Sequence, residues 1–241
     1  MSSLYNSIVY EPLYNGLILL MNTLPWADAG IIVILFTVIV KLILFPLSKK
    51  AVETQIKMKA VEPELTALKE QYKGDRQVLA RKQMDLYKEK GIRPFMSILL
   101  IFIQLPIIFA LYRIFLHPGL PTIDESILYA FVHVPQTIDM FFLWLDISKK
   151  SLILAVLVGI STFFQAKIMV QKNIPVAKKA GTPNSIQEDF ARNTQMMMLY
   201  VFPFVATFIS WSISGAIALY WITGNLFTIG QEIVLKRKLK K

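Results

Sequence analysis

The chain has 241 residues, 55% of them hydrophobic, a formal net charge of +10 and no cysteine. A soluble domain of this length has no need of several separate apolar stretches of near-membrane length, so the class read here is an all-α polytopic membrane protein. The lack of cysteine excludes disulfides, thiolate metal sites, cysteine nucleophiles and a lipid-modified N-terminal cysteine.

Residues 1–28 mix Leu, Ile and Tyr with Asn6, Glu11, Asn15 and Asn22. That mixture predicts a helix lying at a membrane surface with its tyrosines at headgroup level. It lacks the basic region and small-residue cleavage site of a signal peptide. Residues 29–47 form a first apolar run long enough to span a bilayer, with Pro46 and Lys49-Lys50 at its end. Residues 48–94 turn polar and helical, broken at Gly74, and predict an antiparallel hairpin with a kink at Pro63. Its apolar seam is Val52, Ile56, Leu65, Leu68 and Tyr72 against Val78, Leu79, Leu86 and Tyr87.

A second span is expected over 95–115, followed by an outer loop at 116–150 that holds both histidines and the aromatic stretch Phe141-Phe142-Leu143-Trp144. A third span covers 151–169, and a Gly/Pro/Asn-punctuated inner loop covers 170–195. Spans four and five, 196–211 and 215–235, share a turn at Ser212-Ile213-Ser214 and read as a tight antiparallel pair, with a basic tail at 236–241.

Charge decides the orientation. Residues 1–28 carry no Lys or Arg, 48–93 carry twelve, 114–151 carry two against four acids, and the tail carries five. The positive-inside rule therefore puts the N-terminus outside, the hairpin and C-terminus inside, and requires an odd number of spans; five apolar runs fit.

Lys41 is the most informative residue, because it interrupts the first apolar run. A cation inside such a helix costs on the order of 2.5–3.5 kcal/mol on insertion scales, so it needs water, a partner or a use. It lies six residues from Leu47, about 9 Å of helix rise, and snorkelling to the inner surface would satisfy it. The sharper alternative is a hydrated cavity open to the cytoplasm, lined by Lys41, Thr37, Gln104, Gln165, Tyr220, Asn225 and Thr228. No carboxylate of the membrane half stands close in sequence pattern, Glu232 being at the inner end of span five, so hydration is favoured over a salt bridge. Taken singly, the uncharged members read as interhelical glue.

Catalysis finds little support. No span contains Asp, no nucleotide-binding motif or metal-spaced cluster occurs, and Ser48 beside Lys49 is adjacency in sequence only. No catalytic, cofactor or metal residue is assigned. One rival is a small ion or solute channel with Lys41 as its selectivity charge; another is a structural partner of a translocase.

Several blocks carry a resemblance. They are Val40-Lys41-Leu42-Ile43-Leu44-Phe45-Pro46-Leu47-Ser48-Lys49-Lys50, Glu62-Pro63-Glu64-Leu65, Asp85-Leu86-Tyr87-Lys88-Glu89-Lys90-Gly91 and Gln104-Leu105-Pro106-Ile107-Ile108-Phe109-Ala110-Leu111-Tyr112. Leu219-Tyr220-Trp221 and Gly224-Asn225-Leu226-Phe227-Thr228 complete the set. Together they resemble the YidC/Oxa/Alb membrane protein insertases over nearly the whole chain.

The resemblance implies a five-helix core in the plasma (inner) membrane, with a hydrophilic groove open to the cytoplasm and a cytoplasmic hairpin. It implies insertion and folding of nascent membrane proteins in the lipid bilayer, alone or with the Sec translocon, without nucleotide hydrolysis. The substrate would slide along the span three/span five side. The groove cation carries over onto Lys41, where the family usually has Arg; Lys is a compact charge and not a fork of donors. A large extracytoplasmic domain and an N-terminal signal sequence, present in some members, are not expected here. The basic hairpin and tail suit contact with a ribosome on charge grounds.

Overall fold

The computed structural model describes residues 3–72, 74–93, 95–116, 120–169 and 196–239. The inner loop predicted at 170–195 lies outside these. Regular structure among the described residues is helical except for a two-stranded ribbon with two residues in each strand, and the chain divides into two compact units. The first comprises Met1–Lys41 and Ile107–Val234, the second Leu42–Pro106 and Leu235–Lys241.

In the first unit a short helical lead-in, Ser3–Tyr5 and a π-helical stretch Asn6–Tyr10, runs into α1, Glu11–Thr23. Tyr10 and Tyr14, expected at a headgroup surface, are instead enclosed by protein together with Leu17 and Ile18. The reason is non-local. Asn15 donates to the Ile127 carbonyl at 2.9 Å and accepts from the Tyr129 N–H at 2.7 Å, while the Tyr14 hydroxyl accepts from the Asp124 N–H at 2.7 Å. Asn22 donates to the His133 carbonyl. Arg113 stacks over the Tyr10 ring at 4.0 Å and bonds Asn6. Residues 120–150 thus form a built cap held to α1.

That cap carries the ribbon, β1 Phe141–Phe142 against β2 Leu145–Asp146, turned through Leu143 at φ 56°. Hydrogen bonds from Lys149 and Ser148 hold the Asp146 carboxyl below the usual carboxylate range. The next residue, Ile147, is fully buried, and its carbonyl accepts from Ala216. With the Lys149 carbonyl accepting from Gly215, the cap satisfies the first free N–H groups of the last helix.

The apolar helix α2 spans Ala29–Ile43 and buries Ala29, Ile32, Val33, Phe36, Thr37 and Val40, one helical stripe. It stops earlier than expected. Pro46 lacks the N–H that would continue the helix, so the chain breaks at Leu44 and Pro46 sits in the first turn of α3, Phe45–Ala60. Lys41 consequently stands in the last turn of α2, where the carbonyl end of a helix favours a cation.

The second unit contains α3, then α4, Glu62–Gln71, and α5, Arg76–Glu89, as an antiparallel hairpin. Asp75 caps α5 by accepting from the Gln77 and Val78 N–H groups. The seam is narrower than the sequence pattern suggests: Val61, Leu86 and Ile92 are buried, with Met58, Leu65, Leu68 and Tyr87 packed on them. Glu64 and Lys90 pair at 2.9 Å across it.

Gly91 closes α5. Its N–H bonds to the Lys88 carbonyl and the Ile92 N–H to the Tyr87 carbonyl, with Gly91 at φ +61°, the paired bonds of a Schellman end. That turn drives Ile92 back into the seam. Replacing Gly91 with alanine puts a Cβ into the left-handed region at about 1–2 kcal/mol. We expect roughly tenfold faster amide exchange at Ile92 in the full chain, with the other helices unchanged.

Helix α6, Met96–Leu116, contains Pro106 and passes from the second unit into the first. Helix α7 is Leu152–Met169. A π-helical Met197–Val201 leads into α8, Phe202–Ser212, and α9 is Gly215–Leu239 after a two-residue turn. Helix α8 packs on α7, with Thr207 and the Pro203 carbonyl seated over Gly159.

By length and hydropathy, α7 is long and apolar enough to cross a membrane, and α2 with α3 counts as a second candidate if that broken pair is one span. Phe102–Phe115 and Met197–Ser212 are shorter apolar helices. The outward faces are apolar too: Leu152, Ile153, Leu157, Ile160 and Phe164 of α7 and Phe204, Phe208 and Trp211 of α8 are exposed. Helices apolar on both faces suit a lipid surround and not water.

Candidate functional site

Lys41 extends the buried stripe of α2, one turn after Thr37. Leu35, Ile39, Leu42 and Ile43 form the exposed side of the same helix. The ammonium arm is therefore directed inward, and it lies against Gly224 of α9. A Cβ built on Gly224 would stand 3.3 Å from Lys41 Cε and 3.7 Å from Nζ. Only a glycine leaves that arm its full room. Among the described residues, Lys41 has neither an ion pair nor a hydrogen bond.

Around Gly224, Tyr220 lies one turn before and Thr228 one turn after on the same face of α9. Tyr220 is buried and partnered, and the half-buried Thr228 donates to the Gly224 carbonyl at 2.8 Å. Asn225, next in sequence, looks toward α7. Its amide donates to Ser161 and to Thr162, both at 2.9 Å, and it is 5% exposed. Asn225 is thus a clamp between α9 and α7, and the seam between these helices is closed at that level.

Thr37 is likewise internal, 0% exposed with its hydroxyl bonded to the Val33 carbonyl at 2.6 Å. Gln165 stands one turn beyond Ser161 on α7, half-buried and with no hydrogen bond among the described residues. Gln104 belongs to the second unit, where it is half-buried and has a partner. Of the residues expected together, Lys41, Tyr220 and Thr228 share one helix-to-helix face, whereas Thr37 and Asn225 are used in packing. Sequence reasoning gave Gly224 no part in the site. The available signal was a glycine inside the polar stripe of span five.

Removing the clamp has a measurable cost. Interhelical hydrogen bonds in membranes average about 0.6 kcal/mol with a maximum near 1.7. Two such bonds from a buried amide put Asn225→Ala at roughly 1–2 kcal/mol. The thermal midpoint of the detergent-solubilised chain should fall about 2–4 °C per kcal/mol. A cycle with Ser161→Ala and Thr162→Ala should show the losses to be non-additive.

Comparison with known proteins gives the family. The family model described as 60Kd inner membrane protein matches residues 20–241. A membrane protein insertase YidC of Clostridium tetani is 31% identical, over 100% of this chain and 97% of its own length. Another, of Fusobacterium nucleatum, is 33% identical over 96% of this chain and 98% of its own length. That of Francisella tularensis subsp. novicida is 34% identical, over 86% of this chain but 32% of its own length. Among solved structures, an active YidC insertase with its first transmembrane domain resolved is similar at TM-score 0.54 and 21% identity. The match covers 95% of this chain and 46% of that one, and supports the fold. By a family match over most of its length and by relatives aligned end to end, this chain belongs to the 60Kd inner membrane protein family, the family of the YidC membrane protein insertases.

Proposed function

We propose that the chain is a multi-pass membrane protein insertase of five spans, N-terminus outside and C-terminus inside, working in the plasma membrane alone or beside the Sec translocon. The observation that carries this is Lys41, turned inward against Gly224 and without an ion pair or hydrogen bond among the described residues. A cation so placed can hold the polar flank of a nascent chain while its apolar segment moves into lipid. The magnitudes are of the right order. A charged residue at mid-membrane costs about 2.5–3.5 kcal/mol, and opposite charges about 4 Å apart gain about 4 kcal/mol at an effective dielectric constant near 20.

Because Asn225 closes the seam between α7 and α9, the apolar segment travels over the exposed flank of α7 and not through that seam. The groove is lined by Lys41, Tyr220, Thr228 and Gln165, with Thr37 and Asn225 as its supports. The basic hairpin and tail receive the ribosome and the emerging chain.

The names of the relatives favour insertion over the channel alternative. In a bacterium depleted of its own insertase, this chain should restore insertion of a small single-span protein. Liposomes containing the chain should show no ion flux above protein-free liposomes. Flux without substrate, together with failed rescue, would point to the channel instead.

A further inference from the structure

The second unit holds a cleft of about 260 Å³. We infer that it binds the phosphate headgroup of an anionic phospholipid in the cytoplasmic leaflet. Its walls come from two segments brought together by the hairpin. Helix α3 supplies Lys50, Glu53, Thr54 and Lys57, the i, i+3, i+4 and i+7 positions of one face. The loop after α5 supplies Arg93, and α6 supplies its first residue, Met96. The left-handed turn at Gly91, itself part of the lining, sets their position by anchoring Ile92 in the hairpin seam.

Three cations thus face one carboxylate, and Glu53 already has Lys49 at 3.8 Å. The cleft is left net positive, and two lysines with an arginine supply enough charged donors to surround a phosphate diester. Thr54 adds a hydroxyl oxygen, its proton being held by the Lys50 carbonyl at 2.8 Å.

Lipid is favoured over nucleic acid by what lies beside the charges. Met96 opens α6, and Leu99 and Phe102, one and two turns further along, are exposed. A phosphate held by the cations therefore has an apolar track for its acyl chains. A cleft of about 260 Å³ suits one headgroup and not a polynucleotide backbone. Basic residues immediately flanking an apolar helix also sit where anionic headgroups concentrate. The leaflet assignment rests on the topology proposed above; the binding site does not.

The test uses the full chain in neutral detergent, with lipid binding counted by native mass spectrometry. Dioctanoyl phosphatidylglycerol should bind saturably, and dioctanoyl phosphatidylcholine should not. Lys57→Gln with Arg93→Gln should weaken phosphatidylglycerol by about tenfold or more, charge-assisted hydrogen bonds being worth about 1.5–3 kcal/mol each. Lys57→Arg with Arg93→Lys should keep it, as should Lys69→Gln with Lys82→Gln, hairpin cations outside the cleft.

Equal binding by the cleft variant would overturn the site, and so would an equal loss in the Lys69/Lys82 variant. Complete displacement by glycerol 1-phosphate would assign the cleft to a soluble phosphate ester and overturn the lipid. A short RNA whose binding needs Lys57 and Arg93, with phosphatidylglycerol unaffected by their loss, would overturn it in favour of nucleic acid. Lys41→Ala should bind phosphatidylglycerol normally, so failure of the insertase proposal and failure of this one are told apart.

Discussion

Lys41→Glu should cut insertion of a substrate with an acidic or polar flank by well over tenfold, and Lys41→Ala by about tenfold. The alanine loses an attraction worth one to a few kcal/mol at the step where the flank leaves water, and each 1.4 kcal/mol is a factor of ten. The glutamate adds repulsion of the same order. Lys41→Arg keeps the charge and should stay within about twofold of wild type for such a substrate, the charge being the quantity that matters at this step.

The companion variant is Gly224→Leu, which leaves Lys41 in place but fills the space its Cε occupies. It should lose insertion about as heavily as Lys41→Ala. Gly224→Ala needs only a few tenths of an ångström from a flexible arm, because its Cβ lies 3.3 Å from Cε, so it should be mild. Insertion rate measured by protease protection over this series is the readout. Normal insertion by Lys41→Ala and Gly224→Leu would mean the cation does no work, while leaving the family membership untouched.

The second large effect is structural. Gly159 lets α8 lie directly on α7: a Cβ there would overlap Thr207 Oγ1 and come 3.3 Å from the Pro203 carbonyl oxygen. Close approach through small residues is what holds helices together where lipid offers no hydrophobic drive. Gly159→Leu must push the helices apart or throw Thr207 off its bond to Pro203 at 2.9 Å. Overpacking of this kind costs about 1–3 kcal/mol or more. We expect the thermal midpoint of the solubilised chain to fall by about 2–12 °C. Thr207→Ala should be nearly neutral alone and should restore part of the loss in the double variant. Absence of any rescue would place the strain elsewhere.

How far the sequence foretold this structure depends on the range of the forces involved. Local signals act over a few residues: the break read at Gly74 lies between α4 and α5, and the chain turns before α9 at Ile213-Ser214. Pro46 misled by its side. It was expected to end a helix at Leu47, whereas it opens the next one and leaves the break at Leu44. The consequence is that Lys41 lies in a final turn and not in mid-helix.

Non-local packing was invisible. Tyr14 and Asn15 are polar interruptions to a reader of sequence, yet their partners lie more than 100 residues away in the outer loop. The candidate site divided for the same reason. Lys41 was legible because a charge in an apolar run has few explanations. Gly224 was not, because its contribution is an absent side chain. Asn225 looked like a groove residue, but periodicity alone does not tell which neighbour an amide will meet.

Transfer of a nascent segment into lipid by an inward cation, without nucleotide, is open to direct test. The most direct measurement reconstitutes the full chain in liposomes free of other proteins. A small single-span protein with a short acidic flank is then added, and its protease protection is followed. Protected substrate is expected without ATP or GTP, at a rate set by Lys41 and recovered by Lys41→Arg. Protection no greater than in protein-free liposomes would contradict it.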